Sequence, residues 1–312
     1  MKQQATIFFH SELDDPQAWQ ATLQAALPQL CFITGPKCDA PEEVDIALLW
    51  TQPPQGLQAF TGLRAVLSLG AGVDQLRLDA LPPGEPVARL IDQTLTQRMV
   101  EYCQATTLYF HRHLHLHASQ QARQQWYFIP PVNASARRVL VLGLGELGSA
   151  VAKALARQGF DVSGWSRTAK LVPGFVCLQG EVALQKALGG CDILINLLPL
   201  TAQTRGLLDH RLFEWLKTGA CLVQVGRGGH LVEDDLLEAL ADGRLGGAFL
   251  DVFAVEPLPA DHPFWAHPQL RLTPHVALLS DPVQSAAMVI ENIRRTVQGQ
   301  PLLHAIKRAS GY

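Results

Sequence analysis

An apolar run that ends in three spaced glycines decides the fold of this chain: Arg138-Val139-Leu140-Val141-Leu142-Gly143-Leu144-Gly145-Glu146-Leu147-Gly148. Residues 150–157 continue with helical spacing, so the order is strand, tight turn, helix. In such a unit the first glycine permits the turn, the second lets a pyrophosphate approach the backbone, and the third lets the helix pack on the strand. Glycine-rich turns are common, but this flanking order predicts a dinucleotide-binding α/β domain.

The end of the next predicted strand, residues 160–165, indicates which dinucleotide is bound. A site for NADH usually has Asp or Glu there, about 20 residues on, to hold the ribose 2′-OH. This chain has Ser166, Arg167 and Thr168 instead, and a guanidinium with two hydroxyls suits a 2′-phosphate. We therefore predict NADPH as the cofactor, with NADH as the weaker alternative. The competing interpretation of Arg167 is a solvated arginine in an ordinary turn.

Size and composition favour two domains and exclude several classes of partner. The chain has 312 residues, 48% hydrophobic and 17% charged, which is enough for two sizeable cores. A net charge of −3 without a long basic run gives no reason to expect nucleic acid. No apolar run approaches a membrane span, and the N-terminal one is too short for a signal peptide. The six cysteines lack C-x-x-C spacing, so we expect reduced thiols in a cytoplasmic protein.

Strand and helix signals alternate on both sides of the glycine motif. Residues 1–100 form a small α/β domain in this interpretation, and residues 278–312 contain a final helix that returns to it. Residues 101–277 form the dinucleotide-binding domain, a doubly wound parallel sheet. Ligands bind beyond the carboxyl ends of the strands in such sheets. Four residues follow predicted strands at that edge: Leu198, Arg227, Asp251 and His275.

A second glycine turn lies in the first domain, at Gly70-Ala71-Gly72-Val73. Glycines that follow a strand can present bare backbone N–H groups to an anion. One interpretation is a cradle for the carboxylate of a substrate. An ordinary strand-to-helix turn explains the same residues equally well.

The stretch Thr96–Gln125 has the pattern of one long, nearly uninterrupted helix, and it carries His111, His113, His115 and His117. Histidines four residues apart share a helix face and can bind a metal. No H-E-x-x-H motif and no nearby acid or cysteine completes a ligand set, so we predict no metal site. The apolar face of so long a helix needs cover, and we expect it to lie on a partner surface.

Three side chains have the chemistry needed for a proton-coupled hydride transfer, although each type alone is more often structural. Arg227 lies between glycines and can bind a carboxylate in a bidentate way while it polarises a neighbouring carbonyl. His275 can donate a proton to a carbonyl oxygen near neutral pH. Glu256 can accept from the far ring nitrogen, which fixes the tautomer and favours the imidazolium form.

Taken together, the motifs resemble those of the D-isomer-specific 2-hydroxyacid dehydrogenase family, over about residues 60 to 280. Two positions of the arginine turn depart from its pattern, because Gln224 stands where Asn is common and Gly226 where Ala is frequent. Both changes are expected to alter the rigidity of the turn rather than its chemistry. A further departure follows His275, where Val276-Ala277-Leu278-Leu279 stand in place of glycines that are frequent in the family, and this apolar bulk is expected to restrict the substrate. The matching motifs are Gly143-x-Gly145-x-x-Gly148, Leu198-Pro199-Leu200-Thr201, Gly226-Arg227-Gly228, Asp251-Val252-Phe253-x-x-Glu256-Pro257-Leu258-Pro259 and Thr273-Pro274-His275.

The resemblance implies an NADPH-dependent reductase of small 2-oxo acids, with glyoxylate and hydroxypyruvate as the first substrates to consider. It implies that Arg227 holds the substrate, that His275 donates the proton and that Glu256 is the partner of His275. It also implies a Rossmann-type domain inserted in a smaller flavodoxin-like substrate domain, and a homodimer formed through the Thr96–Gln125 helix. The implied cofactor contacts are Gly143, Gly145, Leu147, Gly148, Ser166, Arg167, Thr168, Leu198, Pro199, Thr204, Val225 and Asp251, and the implied substrate contacts are Gly70, Ala71, Gly72, Val73, Arg227 and Trp50.

Two alternatives stay open. The first is the same chemistry on another 2-oxo acid, such as pyruvate or phenylpyruvate. The second is a non-catalytic protein that binds a dinucleotide as a sensor, because a fold does not fix a function. The presence of Arg227, Glu256 and His275 favours an enzyme.

Overall fold

The computed structural model of the protein describes residues 5–308. The chain divides into an outer unit, Met1–Leu95 with Leu279–Tyr312, and an inner unit, Thr96–Leu278. The boundaries expected from the sequence fall near these limits, after residue 100 instead of 95 and at residue 278 instead of 279. The assignment of the outer unit to substrate and of the inner unit to cofactor stays a prediction.

Residues 5–308 form twelve strands and eight α-helices. The strands are β1 (Thr6–His10), β2 (Cys31–Thr34), β3 (Ile46–Leu49), β4 (Ala65–Ser68), β5 (Val87–Ala88), β6 (Arg138–Leu142), β7 (Asp161–Trp165), β8 (Val176–Leu178), β9 (Ile193–Asn196), β10 (Ala220–Gln224), β11 (Leu245–Leu250) and β12 (Leu270–Leu272). The helices are α1 (Pro16–Ala26), α2 (Gln93–His111), α3 (Leu114–Ala122), α4 (Glu146–Arg157), α5 (Glu181–Leu188), α6 (His210–Trp215), α7 (Glu233–Ala241) and α8 (Pro282–Gln298).

The outer unit contains a five-stranded parallel sheet with the order β2-β1-β3-β4-β5. This order is typical of flavodoxin-like folds, as expected. Every residue of β3 and β4 is buried, which fits a sheet covered on both faces. The edge strand β2 is not evident from the sequence, because it spans only four residues and its side chains are exposed or half-buried.

The inner unit contains a seven-stranded sheet with the order β12-β11-β10-β9-β6-β7-β8, and all its pairs are parallel. The chain proceeds outward from β6 to β8 and then returns to β9 on the other side of β6. Ligands bind at such a switch point, beyond the carboxyl ends of the strands. The doubly wound α/β fold predicted from the sequence is confirmed.

The single long helix expected over Thr96–Gln125 is wrong in its limits and its continuity. Helix α2 begins at Gln93 and ends at His111, and α3 begins only at Leu114. Between them His113 has a left-handed φ of 55°, which interrupts a right-handed helix. The guanidinium of Arg137 donates to Nε2 of His113 at 2.8 Å and holds this turn.

The expectation that the apolar face of this helix needs cover from a partner is also wrong, because other elements of the inner unit cover the apolar face of α2. Met99, Cys103 and Phe110 belong to one core cluster with Val141 of β6 and Ile195 of β9. This face of the helix therefore needs no second chain to cover it. Among residues 5–308, no helix is long and apolar enough to cross a membrane.

The histidines of this segment pack against aromatic rings. The ring of His111 lies edge-on to Phe160, and that of His115 lies edge-on to Phe110, each with centroids 5.1 Å apart. Burial lowers the pKa of His111, and it lowers that of His115 to about 4, so both rings are neutral at pH 7. Residues 5–308 contain no group of three or more His, Cys, Asp or Glu side chains suited to a metal.

Candidate active site

The three glycines after β6 have separate structural requirements. Gly143 has a φ of 98°, and a Cβ there would lie 2.7 Å from the carbonyl oxygen of Leu197. A Cβ at Gly148 would overlap the carbonyl oxygen of Gly143. Gly145 caps α4 without a side chain, and the position of its missing Cβ faces open space. The N-terminus of α4 is therefore accessible to an anion, and the residues fit the pyrophosphate of a dinucleotide.

The turn after β7 places Arg167 and Thr168 at the surface, while Ser166 is buried. The hydroxyl of Ser166 donates to the carbonyl oxygen of Thr168 at 2.8 Å. Its proton therefore holds the turn, and Arg167 and Thr168 are left as the groups best placed for a 2′-phosphate.

His275 and Glu256 form a close polar pair beyond β11 and β12. Nδ1 of His275 lies 2.8 Å from Oε2 of Glu256, and the backbone N–H of Phe253 donates to Oε1 at 2.9 Å. Burial opposes ionisation of Glu256, but the bonds from His275 and Phe253 and the charges of His275 and Arg227 lower its pKa overall. The ionised carboxylate can only accept, so Nδ1 carries a proton and Nε2 is the nitrogen that can exchange one with a ligand.

Asp251 holds the loop that carries His275. Its carboxylate is buried, with 1% exposure, and accepts from the Thr273 hydroxyl at 2.6 Å and from the N–H groups of Val276 and Ala277 at 2.9 Å each. Its backbone carbonyl accepts from the N–H of His275 at 2.8 Å. Burial raises the pKa of Asp251, and these bonds limit the rise. The side chain expected near the cofactor thus has its oxygens directed into the protein.

Tyr102 of α2 extends this network. Its hydroxyl lies 2.5 Å from Oγ1 of Thr273. Thr273 has one proton, which it gives to the Asp251 carboxylate, so Tyr102 must be the donor to Thr273. Burial raises the pKa of Tyr102 and keeps that proton in place. The chain of donors therefore runs from the helix to the loop of His275.

The arginine turn after β10 is fixed by buried polar side chains. Nε2 of Gln224 donates to the carbonyl oxygen of Arg227 at 2.7 Å, and Oε1 of Gln224 accepts from Nδ2 of Asn196 at 2.8 Å. Gln224 thus bonds directly to the backbone of the arginine turn. Nη1 of Arg227 donates to the carbonyl oxygen of Gly226 at 2.9 Å, and the side chain is half-buried.

The turn after β9 contains the next expected cofactor contacts. Leu198 is buried, and its N–H donates to Oδ1 of Asn196 at 3.3 Å. The hydroxyl of Thr204 donates to the carbonyl oxygen of Pro199 at 2.7 Å, so Thr204 closes this turn. Val225 is buried at the end of β10, and Leu147 is half-buried in the first turn of α4.

In the outer unit, the turn after β4 contains the residues expected to hold the carboxylate of a substrate. Gly70 donates its N–H to the Ser68 hydroxyl at 3.1 Å, so this group is not available to a ligand. The N–H groups of Ala71, Gly72 and Val73 have no acceptor within residues 5–308. The ring of Trp50 lies against Gly70, where a Cβ would be 2.7 Å from Cζ3. Three of the four expected N–H groups thus bond to no acceptor among the described residues.

Several residues that organise the site were not predicted from the sequence. Tyr102, Asn196 and His230 match no catalytic motif, and they act through other residues. The one available signal was a polar residue within an apolar run or beside the arginine turn, and that signal does not name a partner. The structure supplies those partners.

The chain belongs to the D-isomer specific 2-hydroxyacid dehydrogenase family. The model of the family's NAD binding domain matches residues 104–277. The chain is 39% identical to glyoxylate/hydroxypyruvate reductase A of Photorhabdus laumondii, over 98% of this chain and 99% of that protein.

Two solved structures share the whole fold. A D-isomer specific 2-hydroxyacid dehydrogenase from Xanthobacter autotrophicus, in complex with NADPH and MES, is 40% identical with a TM-score of 0.92, over 99% of both chains. An NADPH-dependent glyoxylate/hydroxypyruvate reductase from Sinorhizobium meliloti, in complex with NADP and sulfate, is 34% identical with a TM-score of 0.89, over 99% of this chain and all of that one.

Proposed function

We propose that the protein reduces glyoxylate to glycolate and hydroxypyruvate to D-glycerate with NADPH. The observation that carries the proposal is the 2.8 Å contact between Nδ1 of His275 and Oε2 of Glu256, next to the Arg227 turn. The names of the relatives support the same substrates. When bound, NADPH supplies the hydride.

His275 is the proton donor in this proposal. Negative charge develops on the keto oxygen during reduction, and Nε2 of His275 delivers a proton to it. The Glu256 carboxylate accepts from Nδ1, which holds the ring in one orientation and stabilises its charged form. Asp251 and Thr273 hold the loop that presents the ring.

Arg227 is assigned to the carboxylate of the substrate, and the turn Ala71–Val73 of the outer unit is assigned separately as a set of substrate contacts. The guanidinium matches a carboxylate in a bidentate geometry, and it also stabilises the developing charge on the neighbouring oxygen. The backbone N–H groups of that turn are uncharged donors of the kind that suit an anion. A 2-oxo acid offers both features, a carboxylate and an adjacent carbonyl, whereas a simple aldehyde lacks the anchor.

The preference for NADPH is assigned to Arg167 and Thr168. Arg167→Ala is expected to raise the KM for NADPH about tenfold or more, since a charged hydrogen bond contributes roughly 1.5–3 kcal/mol, and to leave the KM for NADH nearly unchanged. A wild-type protein that uses NADH better than NADPH contradicts the assignment.

The decisive experiment is a panel of 2-oxo acids assayed with each reduced cofactor. Turnover that is highest with glyoxylate or hydroxypyruvate and NADPH supports the proposal. Higher turnover with pyruvate or phenylpyruvate redirects the substrate assignment. Cofactor binding without turnover on any member of the panel identifies a dinucleotide sensor.

A homodimer formed by the segment from α2 to residue 132 is part of the proposal. Trp126, Tyr127 and Phe128 are 103%, 75% and 78% exposed, and Leu114 is 49% exposed. Exposed large apolar side chains are typical of protein interfaces when they lie together. Sedimentation equilibrium is expected to give a dimer at micromolar concentration, and replacement of the three aromatic residues by serine is expected to give a monomer. A wild-type monomer under these conditions contradicts the proposal.

We also propose a cytoplasmic location. All six cysteines are free thiols, which suits a reducing compartment. Fractionation of cells that express the protein, with antibody detection, tests this assignment. Recovery from the periplasmic or membrane fraction contradicts it.

A further inference from the structure

A fully buried histidine, His230, connects the turns that follow β10 and β9. Its Nδ1 lies 3.1 Å from the backbone nitrogen of Arg227, and its Nε2 lies 3.2 Å from the carbonyl oxygen of Pro199. One ring therefore bridges the backbone of the proposed substrate anchor and the backbone of a proposed cofactor turn.

The partners of the ring determine where its proton lies. The N–H of Arg227 is a donor, so Nδ1 accepts; the carbonyl of Pro199 is an acceptor, so Nε2 carries the proton. Nδ1 also lies 3.0 Å from the carbonyl oxygen of Arg227. That oxygen already accepts from Nε2 of Gln224 at 2.7 Å and from the backbone N–H of His230 at 3.1 Å. A second ring proton would also face the N–H of Arg227, so the neutral ring fits.

The departure at Gly226 is linked to this ring. A Cβ at Gly226 would lie 3.1 Å from both Nδ1 and Cε1 of His230 and 3.0 Å from Nδ2 of Asn196. These distances are shorter than ordinary van der Waals contacts, so alanine would displace the ring or the amide. Glycine leaves the space that the histidine bridge requires.

We propose that His230 is a positioning residue for both ligands of the reductase, with Nδ1 holding the Arg227 backbone and Nε2 holding the Pro199 carbonyl. The inference rests on the proposed function, in which Arg227 anchors the carboxylate and the Leu198-Pro199 turn contacts NADPH. Neither bond of the ring touches a ligand. Its loss therefore loosens a turn, and each bond affects the ligand on its own side.

Two isosteric substitutions separate the bonds. In His230→Asn, the amide oxygen can replace Nδ1 as acceptor from Arg227, but the side chain is too short for Pro199. In His230→Gln, the amide nitrogen can replace Nε2 as donor to Pro199, and the acceptor for Arg227 is lost.

Each variant is expected to change one constant. His230→Gln raises the KM for glyoxylate about tenfold and leaves the Kd for NADPH within about twofold, because one backbone hydrogen bond contributes roughly a factor of ten at most. His230→Asn raises the Kd for NADPH about threefold and leaves the KM for glyoxylate near the wild-type value. The change in Kd is smaller because Thr204 still donates to the carbonyl oxygen of Pro199 in this variant. The Kd is measured by NADPH fluorescence without keto acid.

His267 provides the matched control. Its Nδ1 accepts from the backbone N–H of Gln269 at 3.3 Å, in the turn before β12. His267→Asn and His267→Gln are expected to leave both constants within about twofold. Gly226→Ala keeps the histidine and displaces its ring, so it is expected to raise the KM for glyoxylate even if a His230 variant fails to fold.

The outcomes distinguish the two levels of inference. The positioning role is overturned if the two His230 variants change the KM for glyoxylate and the Kd for NADPH equally. It is also overturned if neither His230 variant nor Gly226→Ala changes either constant. A wild-type protein that binds NADPH but does not reduce glyoxylate refutes the proposed function instead. In that case the fluorescence titrations still test the bond from His230 to Pro199.

Discussion

Two groups of histidines in the inner unit have different neighbours. On α2 and α3, His111 and His115 pack edge-on to phenylalanine rings, and within residues 5–308 the buried Nδ1 of each has no hydrogen-bond partner. At the strand ends, His230 contacts a backbone donor and a backbone acceptor, and His275 contacts a carboxylate. The same side chain is an aromatic packing element in one region and a hydrogen-bonding element in the other.

This difference shows that the position of a histidine relative to the strand ends indicates its role better than the number of histidines nearby in the sequence. The run from His111 to His117 is the most conspicuous histidine signal in the sequence, yet it lies beside the core. His275 stands alone after a proline, but it follows the last strand at the edge where doubly wound sheets bind ligands. The predictions below test whether function follows that edge.

The largest effect is expected for His275→Ala. Removal of the proton donor should lower kcat about 10²–10⁴-fold, the usual contribution of general acid catalysis. The Kd for NADPH should stay within about twofold. Steady-state kinetics with glyoxylate and fluorescence titration provide the two measurements. A loss of kcat below about tenfold would show that another group delivers the proton.

Glu256→Gln is expected to have the next largest effect. The amide oxygen can still accept from His275, but the charge that stabilises the imidazolium is lost. Because the pKa of Glu256 is lowered, its carboxylate is ionised throughout the neutral range. With the carboxylate replaced by a neutral amide, the basic limb of the kcat profile for reduction is expected to move to lower pH.

The profile should be measured for wild type and variant in the same mixed buffer. A profile that stays in place would make Glu256 an ordinary loop residue. His275 would then depend on a different neighbour, and Asp251, whose pKa the charge of His275 lowers, is the first candidate.

The parts of the fold that local sequence determines were predictable. The glycine turn at Gly143 requires a positive φ, and the apolar runs of β6 and β9 define buried strands without reference to distant residues. Arg227 and His275 follow such strands, so their edge of the sheet could be inferred from strand order alone.

The remaining features depend on residues distant in sequence. The break after His111 includes a bond between His113 and Arg137, 24 residues later. Asp251 has a holding role because Thr273 lies within hydrogen-bonding distance across 22 residues. No local pattern contains these pairs, and a polar residue shows its role only when its partner is known.

A smaller effect is expected for Tyr102→Phe. This variant tests whether α2 helps to hold the loop of His275, although the two are distant in sequence. Loss of the hydroxyl leaves Thr273 without its donor and weakens the hold of Asp251 on the His275 loop. We expect kcat to fall about three- to tenfold, the range of one hydrogen bond, with the KM for NADPH unchanged.

Tyr109→Phe is the matched control for Tyr102→Phe. It lies on the same helix, and its hydroxyl accepts from Nε of Arg271 at 2.9 Å rather than from the loop. Thr273→Ser keeps the donor to Asp251 and should retain activity, whereas Thr273→Val should reproduce the loss. Equal kinetics for the two tyrosine variants would limit Tyr102 to a structural role.

The smallest effect on activity is expected for His115→Leu, which should leave kcat and both KM values within about twofold. Its effect should be on the pH dependence of stability. Burial lowers the pKa of His115 to about 4 in the folded state, while the unfolded chain keeps about 6.5. Between these values the unfolded state binds more protons, so the wild-type free energy of unfolding falls as pH decreases from about 6.5 to 4.

Urea unfolding at several pH values should therefore give a shallower dependence of the free energy of unfolding on pH for the variant. The flattening is partial, because the pKa values of His111 and His113 are also lowered. Many carboxylates titrate in the same window, so only the difference between variant and wild type isolates this ring. If His115→Leu instead lowered turnover at pH 7.5 while the protein remained folded, the distinction between packing histidines and strand-end histidines would be wrong.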